Sequence, residues 1–122
     1  MIRYGEVSIP ELFQKISESG AYISFTVGDK IFSVKRTSQR YRLFKKNGLK
    51  CVVCKKVANK AYLESNVDGE RPHVNFYLSR PGMKDLLFTK DHILPKAKGG
   101  KDTMSNYQTM CQVCNSKKGS TC

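Results

Sequence analysis

The sequence predicts an α+β fold in which a small N-terminal helix and β-hairpin precede a larger α+β core. Capping residues flank two amphipathic helical segments, and several short runs alternate apolar and polar residues as strands do. The 122 residues suffice for one domain of modest core, or for a compact module with a small extension. We therefore divide the chain into an extension over residues 1–36 and a main domain over residues 37–122.

The first helix is predicted from its N-terminal residues. Ser8 is the expected N-cap, Glu11 completes a capping box, and Pro10 is tolerated in the first helical turn. Gly20 is the expected stop signal. The apolar face of this helix consists of Ile9, Leu12, Phe13 and Ile16.

A β-hairpin is predicted to follow this helix. Residues 21–27 and 30–36 alternate around Gly28-Asp29, a pair that suits a tight turn. No residue in the N-terminal third indicates chemistry. We expect it to be scaffold, with a DNA-contacting accessory or a dimerisation surface as alternatives.

The second helix is predicted over Gln39–Asn47, capped by Thr37 or Ser38 and ended by Gly48. One side of it is apolar (Tyr41, Leu43 and Phe44) and the other is basic (Arg40, Arg42, Lys45 and Lys46).

The rest of the chain is read from turn signals and alternation. We predict a polar connector over residues 57–71 with turn signals at 66, 68 and 69. A strand over residues 73–78 and a turn over 79–82 follow, and a second strand over residues 86–92 comes next.

The charge of the chain is strongly positive and unevenly placed. The sequence has 22 Lys and Arg against 10 Asp and Glu, a net charge of +12. Residues 35–60 hold ten of the basic residues and no acidic one. Such a run favours a polyanionic partner, although a merely solvated surface is the alternative.

The N-terminus lacks the apolar region of a signal peptide, and no run approaches the length of a membrane helix. We therefore expect a soluble, cytoplasmic protein in a reducing compartment, with no membrane partner.

Four of the five cysteines form two C-x-x-C pairs, which in a reducing compartment fit zinc better than disulfides. Each pair supplies two thiolates, so one tetrahedral structural zinc site would use Cys51, Cys54, Cys111 and Cys114. A C-x-x-C redox motif and two unrelated pairs are the alternatives. Cys122 is left over as a terminal thiol.

The segment over residues 90–119 carries several motif elements in order. These are the pair Asp91-His92, a Gly-Gly loop, Asn106, and a C-x-x-C that runs directly into Asn115 and two lysines. The segment resembles the HNH endonucleases, in the subgroup whose ββα-metal site is stapled by four cysteines. The resemblance covers roughly residues 40–119.

The resemblance implies a role for each motif residue. His92 is the expected general base, because histidine titrates near neutral pH. Asp91 and Asn115 are the expected ligands of a catalytic divalent ion, and Asn106 is expected to hold the loop that follows His92. Because successive side chains of a strand point to opposite faces, the strand must twist, bulge or end at Asp91-His92. The other histidine, His73, is expected to be a surface or structural residue.

The resemblance also implies the activity, which is hydrolysis of DNA phosphodiester bonds to 5′-phosphate and 3′-hydroxyl products. Zn²⁺ is expected in the structural site, and Mg²⁺ or another divalent cation in the catalytic site. One site per chain makes a nick, so a double-strand break needs a homodimer or two binding events. The compact size is similar to that of phage-borne HNH enzymes. The residues expected to contact DNA are Arg40, Arg42, Lys45, Lys46, Lys96, Lys98, Lys101, Lys117 and Lys118.

Two alternatives belong to other functional classes. One is a zinc-stabilised DNA-binding module that does not cut, and the other is a zinc-dependent protein-interaction adaptor. The adaptor explains neither the Asp-His pair nor the basic run, and it predicts a weak salt dependence of nucleic-acid binding.

Overall fold

The computed structural model describes residues 1–118 and has an α+β architecture, as predicted. The leftover Cys122 therefore lies outside the described residues. The strands are β1 Ile2–Val7, β2 Tyr22–Val27, β3 Lys30–Lys35, β4 Lys60–Ser65, β5 His73–Leu78, β6 Leu86–His92 and β7 Tyr107–Cys111. The α-helices are α1 Ile9–Lys15, α2 Gln39–Asn47 and α3 Gln112–Lys118, and single 3₁₀ turns occupy Lys96–Lys98 and Met104–Asn106.

Five of the strands form one antiparallel sheet in the order β1-β4-β5-β6-β7, and β2 and β3 form a separate hairpin. Because β1 pairs with β4, the N-terminal strand belongs to the same sheet as the motif strands β6 and β7. None of the described helices is long and apolar enough to cross a membrane.

The core lies where α1 and α2 cover the sheet. Phe76 of β5 is fully buried and packs against the rings of Phe13 from α1 and of Tyr41 and Phe44 from α2. Helix α3 packs on β6 and β7. The strand pair therefore lies between the α2 layer and α3, and it presents side chains to both.

Most of the predicted elements are confirmed. Helix α1 starts as expected, with the Ser8 hydroxyl accepting the Glu11 N–H at 3.2 Å. The hairpin turns at Gly28, whose φ of 64° favours glycine. Helix α2 has the predicted bounds, with N-cap Ser38 and C-cap Gly48, and β5 and β6 match the predicted strands.

Several predictions about the elements are wrong or incomplete. The supposed connector over residues 57–71 contains β4, an inner strand whose Ala61 and Leu63 are fully buried. Strand β1 was not predicted, because its apolar residues alternate poorly and its partner β4 lies far along the chain. Helix α1 ends at Lys15 with Ile16 as C-cap, before the predicted stop at Gly20.

A buried polar network fixes β1 to the sheet. Glu64 of β4 is only 2% exposed, and its carboxylate accepts hydrogen bonds from the Arg3 guanidinium at 2.7 Å, from Asn75 at 2.7 Å and from Tyr77 at 2.5 Å. Burial raises the pKa of the Glu64 carboxyl, but these three donors outweigh burial and lower the pKa below its ordinary value. The Arg3 guanidinium also stacks over the Tyr62 ring at 3.7 Å. The N-terminal strand is thus held by an ion pair from the half-exposed Arg3 to the buried Glu64 carboxylate, as well as by its ladder.

Candidate functional site

The four cysteines predicted to bind metal converge on one point. Their Sγ atoms all lie within 4.8 Å of one another, and the Sγ atoms of Cys54 and Cys111 are 3.8 Å apart. Cys51 and Cys54 lie in a tight knuckle that is closed by a Lys50–Val57 bridge and turns at Lys55, whose φ is 68°. Cys111 is the last residue of β7, and Cys114 lies in the first turn of α3.

This donor set fits a tetrahedral metal. Zinc–sulfur bonds of about 2.3 Å place neighbouring sulfurs about 3.8 Å apart, which is the spacing of the Cys54 and Cys111 sulfurs, and all four sulfurs lie within 4.8 Å of one another. Burial raises the pKa of Cys51, but backbone N–H donors of Cys111, Cys54 and Val53 outweigh burial and bring its pKa to about 6. Burial and the neighbouring sulfurs raise the pKa of Cys114 to about 12. Four thiolates this close repel one another, so all four cysteines can be deprotonated together only when a cation is bound.

Asp91 and Asn115 lie on the α3 side of strand β6. The Asn115 amide nitrogen donates to the Thr89 hydroxyl at 3.0 Å, and Thr89 and Asp91, two residues apart, point to the same face of the strand. This hydrogen bond uses the amide nitrogen, so the carbonyl oxygen of Asn115 remains as a hard ligand atom. One oxygen of Asp91 accepts hydrogen bonds from Gln108 at 3.0 Å and from Lys118 at 2.7 Å. The Asp91 side chain is 10% exposed, and its carboxylate is paired with the positively charged Lys118 ammonium.

His92 is the last residue of strand β6. Pairing continues in register from Phe88 to His92 without a bulge. Of a twist, a bulge or a strand end at Asp91-His92, the structure shows a strand end. The His92 ring packs edge-on against Tyr107, with the ring centroids 5.0 Å apart. Lys118 links the two motif residues, since its ammonium also donates to the His92 carbonyl at 2.6 Å.

Asn106 closes the loop between the strand and the Gly-Gly turn. Its amide nitrogen donates to the carbonyls of Leu94 at 3.0 Å and Lys101 at 2.9 Å, and its amide oxygen accepts from the Leu94 N–H at 2.9 Å. A Cβ on Gly100 would lie only 1.8 Å from the Leu94 carbonyl oxygen, so this close approach requires glycine. The loop is therefore pinned by side-chain and backbone bonds at several points.

This loop carries an acidic residue that the sequence reading did not single out. A carboxylate oxygen of Asp102 lies 2.7 Å from Nε2 of His92, and its second oxygen lies 3.0 Å from the Lys96 ammonium. The hydrogen bond to His92, followed by that to Lys96, lowers the pKa of Asp102 below its ordinary value. Asp102 is the one acid between His92 and Asn106 in the sequence, which is the signal that could have identified it.

Other partners of the motif residues were also missed. Gln108 pairs with Asp91 across the β6–β7 ladder, Thr89 orients Asn115, and Tyr107 packs on His92. The strand β7 was not predicted, so the residues that it places opposite Asp91 and His92 could not be read from the sequence.

The predicted DNA-contacting residues fall into two groups. Arg42, Lys45, Lys46, Lys98, Lys101 and Lys117 have exposed side chains, and Lys96 is exposed but paired with Asp102. The other two are engaged inside the protein. Arg40 donates to the Asn75 amide oxygen at 2.7 Å and to the Val74 carbonyl at 2.6 Å, and Lys118 binds Asp91.

The exposed basic residues of α2 line a groove beside the motif loop. Arg42, Lys45 and Lys46, together with Ile16 and Met104, enclose about 480 Å³. Met104 lies two residues from Asn106, so the groove adjoins the pinned loop. The basic face of α2 and the motif loop therefore border one surface.

Comparison with family models gives a match over residues 81–122 to a family described as HNH endonuclease. The resemblance to the HNH endonuclease family is confirmed for this C-terminal segment, which spans Asp91, His92, Asn106, the second C-x-x-C pair and Asn115. The family indicates a nuclease-type function. Comparisons with curated proteins and with solved structures gave no significant match.

Proposed function

We propose that this chain is a metal-dependent HNH endonuclease that hydrolyses DNA phosphodiester bonds on a ββα-metal core stapled by zinc. One observation carries the proposal. The segment that matches the family also carries Asp91 and Asn115 on the α3 side of β6, and His92, the next residue after Asp91, ends the strand.

The structural metal in this proposal is Zn²⁺, held by the four cysteine thiolates. The spacing of their sulfurs supports a filled tetrahedral site, which leaves no open position for substrate. The reduced thiols suit an intracellular compartment. In this scheme residues 37–122 form the nuclease domain, and residues 1–36 form an extension whose first strand completes the sheet.

Asp91 and Asn115 are the proposed ligands of the catalytic divalent ion. A carboxylate oxygen and an amide oxygen suit Mg²⁺, which takes few protein ligands and keeps several waters. When bound, the ion supplies positive charge for the phosphoryl group and for the departing 3′ oxygen. The Lys118 ammonium on Asp91 must move aside or share the carboxylate with the ion.

His92 is the proposed general base. Its imidazole takes a proton from a water molecule, and the water oxygen then forms a bond to phosphorus as the bond from phosphorus to the 3′ oxygen breaks. The 3′ oxygen leaves with the electron pair of the broken bond and takes a proton from solvent water, so the products are a 5′-phosphate and a 3′-hydroxyl. Asn106 contributes indirectly, because its three hydrogen bonds hold the loop that borders His92.

The proposed DNA surface includes the α2 groove and the exposed lysines around the motif loop. Ammonium and guanidinium groups there would neutralise backbone phosphates, which carries affinity without sequence information. One proposed catalytic site per chain makes single nicks, and a homodimer would make double-strand breaks.

The test uses supercoiled plasmid with wild-type protein, His92→Ala and His73→Gln, in Mg²⁺, Mn²⁺ and chelator. His73 lies at the start of β5, outside the motif, and so serves as the matched histidine control. We expect wild type and His73→Gln to convert supercoiled to open-circle DNA only with metal. The His92→Ala variant should bind DNA but cut roughly 10²- to 10⁴-fold more slowly, the usual contribution of a general base.

Equal cutting by His92→Ala would refute the assignment of the base. A second function, a DNA-binding module that does not cut, is favoured by the Lys118 ammonium already compensating Asp91. Salt-sensitive binding without cutting in any metal would favour that module over the nuclease.

A further inference from the structure

We propose that Asp102 is a positioning residue that holds the His92 ring through Nε2 and leaves Nδ1 as the nitrogen that takes the proton from the attacking water. This inference rests on the proposed function, since it assigns the machinery that makes His92 an effective base. Three observations carry it: the hydrogen bond itself, the packing of the ring, and the way the loop places Asp102.

The first observation fixes which ring nitrogen carries the proton. Asp102 Oδ1 lies 2.7 Å from His92 Nε2. An ionised carboxylate can only accept hydrogen bonds, so Nε2 must be the donor. In the neutral ring the other nitrogen, Nδ1, then holds the lone pair that accepts a proton. The geometry thereby selects the nitrogen that acts as base.

The second observation concerns the orientation of the ring. Tyr107 pairs with His92 across the ladder, and the two rings meet in a T-shaped contact. Tyr107 is 2% exposed, and its hydroxyl donates to Gln39 at 3.1 Å, so the wall against the ring is itself fixed. The Asp102 hydrogen bond and this wall together restrict rotation of the ring about its side-chain bonds. A base held in place avoids the orientational cost at the moment of proton transfer.

The third observation is that the loop is constructed to deliver Asp102 to this place. Asn106 binds the carbonyl of Lys101, the residue just before Asp102, and the Asn106 N–H donates to the Thr103 carbonyl just after it, at 2.8 Å. Gly100 packs directly on the Leu94 carbonyl. The backbone on both sides of Asp102 is therefore pinned, and Asn106 acts on His92 through Asp102.

Lys96 completes the arrangement by holding the second carboxylate oxygen at 3.0 Å. Asp102 is about half exposed, so a simple surface ion pair with Lys96 is the competing interpretation. The two interpretations differ in the effect of Asp102 on the His92 ring and on the chemical step. An ion pair that served only the surface would leave both unchanged.

The test compares Asp102→Ala, Asp102→Glu and wild type, with Asp29→Ala as a matched control. Asp29 is an exposed acid in the β2–β3 turn, away from the motif. The first readout is the ring N–H signal of His92 in protein labelled with ¹⁵N-histidine, zinc-loaded and free of other metals. The chain has two histidines, so His73→Gln assigns the spectrum.

We expect wild type and Asp29→Ala to show a His92 Nε2–H proton that exchanges slowly with water. The Asp102→Ala variant should lose this signal, and Asp102→Glu, which keeps an acceptor-only group, should restore it. An unchanged signal in Asp102→Ala would overturn the inference without reference to any activity.

The second readout is single-turnover cleavage with the divalent ion at saturation. We expect Asp102→Ala to lower the cleavage rate by about tenfold to a hundredfold, a part of what a general base contributes. DNA affinity should stay within about twofold of wild type, because one exposed acid adds no phosphate contact. A loss confined to affinity, or an unchanged rate, would refute the positioning role.

The two proposals can fail separately. If wild type cuts no DNA under any metal while the ring signal still depends on Asp102, the nuclease proposal and the catalytic part of this inference both fall. If wild type cuts through His92 and Asp102→Ala cuts equally well, only the inference falls.

Discussion

Removal of the proposed structural metal is the perturbation whose effect can best be calculated from the structure. The metal would join the knuckle at Cys51 and Cys54 to the end of β7, so it crosslinks two points separated by 56 intervening residues, 55–110. In the chain-entropy model a crosslink that closes a loop of that size contributes about 4 kcal/mol to the free energy of unfolding. Single domains have roughly 5–15 kcal/mol in total, so the loss is large.

The same value predicts the change in melting temperature. Unfolding entropy of about 2.1 cal/mol/K per residue gives roughly 0.26 kcal/mol/K for a chain of this length. A loss of about 4 kcal/mol therefore lowers Tm by about 15 °C. The assay is thermal melting followed by circular dichroism before and after chelation, with metal content measured on the same samples.

Two cysteine variants make the assay specific. Cys54→Ser, which removes a half-buried ligand, should lose the metal and melt like the chelated protein. Cys122→Ser changes the thiol that the two C-x-x-C pairs leave over, and this variant should keep one zinc per chain and the wild-type Tm. The reasoning is refuted if zinc binds one per chain but chelation leaves Tm unchanged, or if Cys122→Ser loses the metal.

Three further predictions follow from the core, the ion pair and the basic groove. Phe76→Ala should lower the free energy of unfolding by about 3–5 kcal/mol in urea titrations, because Phe76 is fully buried among three rings, whereas a loss under about 1 kcal/mol would contradict that packing. Glu64→Gln should cost about 2–3 kcal/mol at pH 7, the worth of charged hydrogen bonds, and the difference from wild type should shrink on acidification. The pKa of Glu64 is lowered in the native state, so the ionised carboxylate stabilises the fold fully above the unfolded-state pKa. This stabilisation is lost as the pH falls through the native-state pKa. A stability difference between wild type and Glu64→Gln that stays the same from pH 7 to pH 3 would refute the prediction. The basic groove residues are Arg42, Lys45 and Lys46. Replacing all three by Ala should reduce the slope of the logarithm of the DNA-binding constant against the logarithm of the salt concentration by about 2–3. An equal reduction on replacing Lys30 and Lys35 of the hairpin would argue against a role for the groove.

The elements that could be predicted from the sequence are those specified by neighbouring residues. Helix α2 was correct at both ends because its boundary residues, Ser38 and Gly48, lie next to the helix in the sequence, although Ser38 makes no side-chain cap hydrogen bond. The β2–β3 hairpin was correct because its two strands are joined by a two-residue turn. Strands β1 and β4 were missed because they stabilise each other across more than fifty residues, a pairing that has no local signature.

The candidate site divides in the same way. The two C-x-x-C pairs and the Asp91-His92 pair could be recognised in the sequence because the residues of each motif lie next to or near one another. The engagement of Arg40 was not visible, because the Val74 backbone that it binds becomes available only where β5 diverges from β6. Arg40 was predicted to contact DNA because of its charge. In the structure its guanidinium instead binds Asn75 and the Val74 carbonyl inside the protein.

The order of the motif along the chain follows from the geometry of strand β7 and helix α3. The strand places Tyr107 against His92 and Gln108 against Asp91, and it ends at Cys111, in the metal cluster. Helix α3 leaves from the same cluster, so Asn115 and Lys118, three residues apart and on one helix face, meet Thr89 and Asp91 on the neighbouring strand. A metal at the cysteines therefore fixes the direction of α3 at its first turn and, through that direction, the position of Asn115 beside Asp91. The cysteine cluster and the candidate catalytic residues would thus be joined through α3, which accounts for a C-x-x-C pair that runs directly into Asn115.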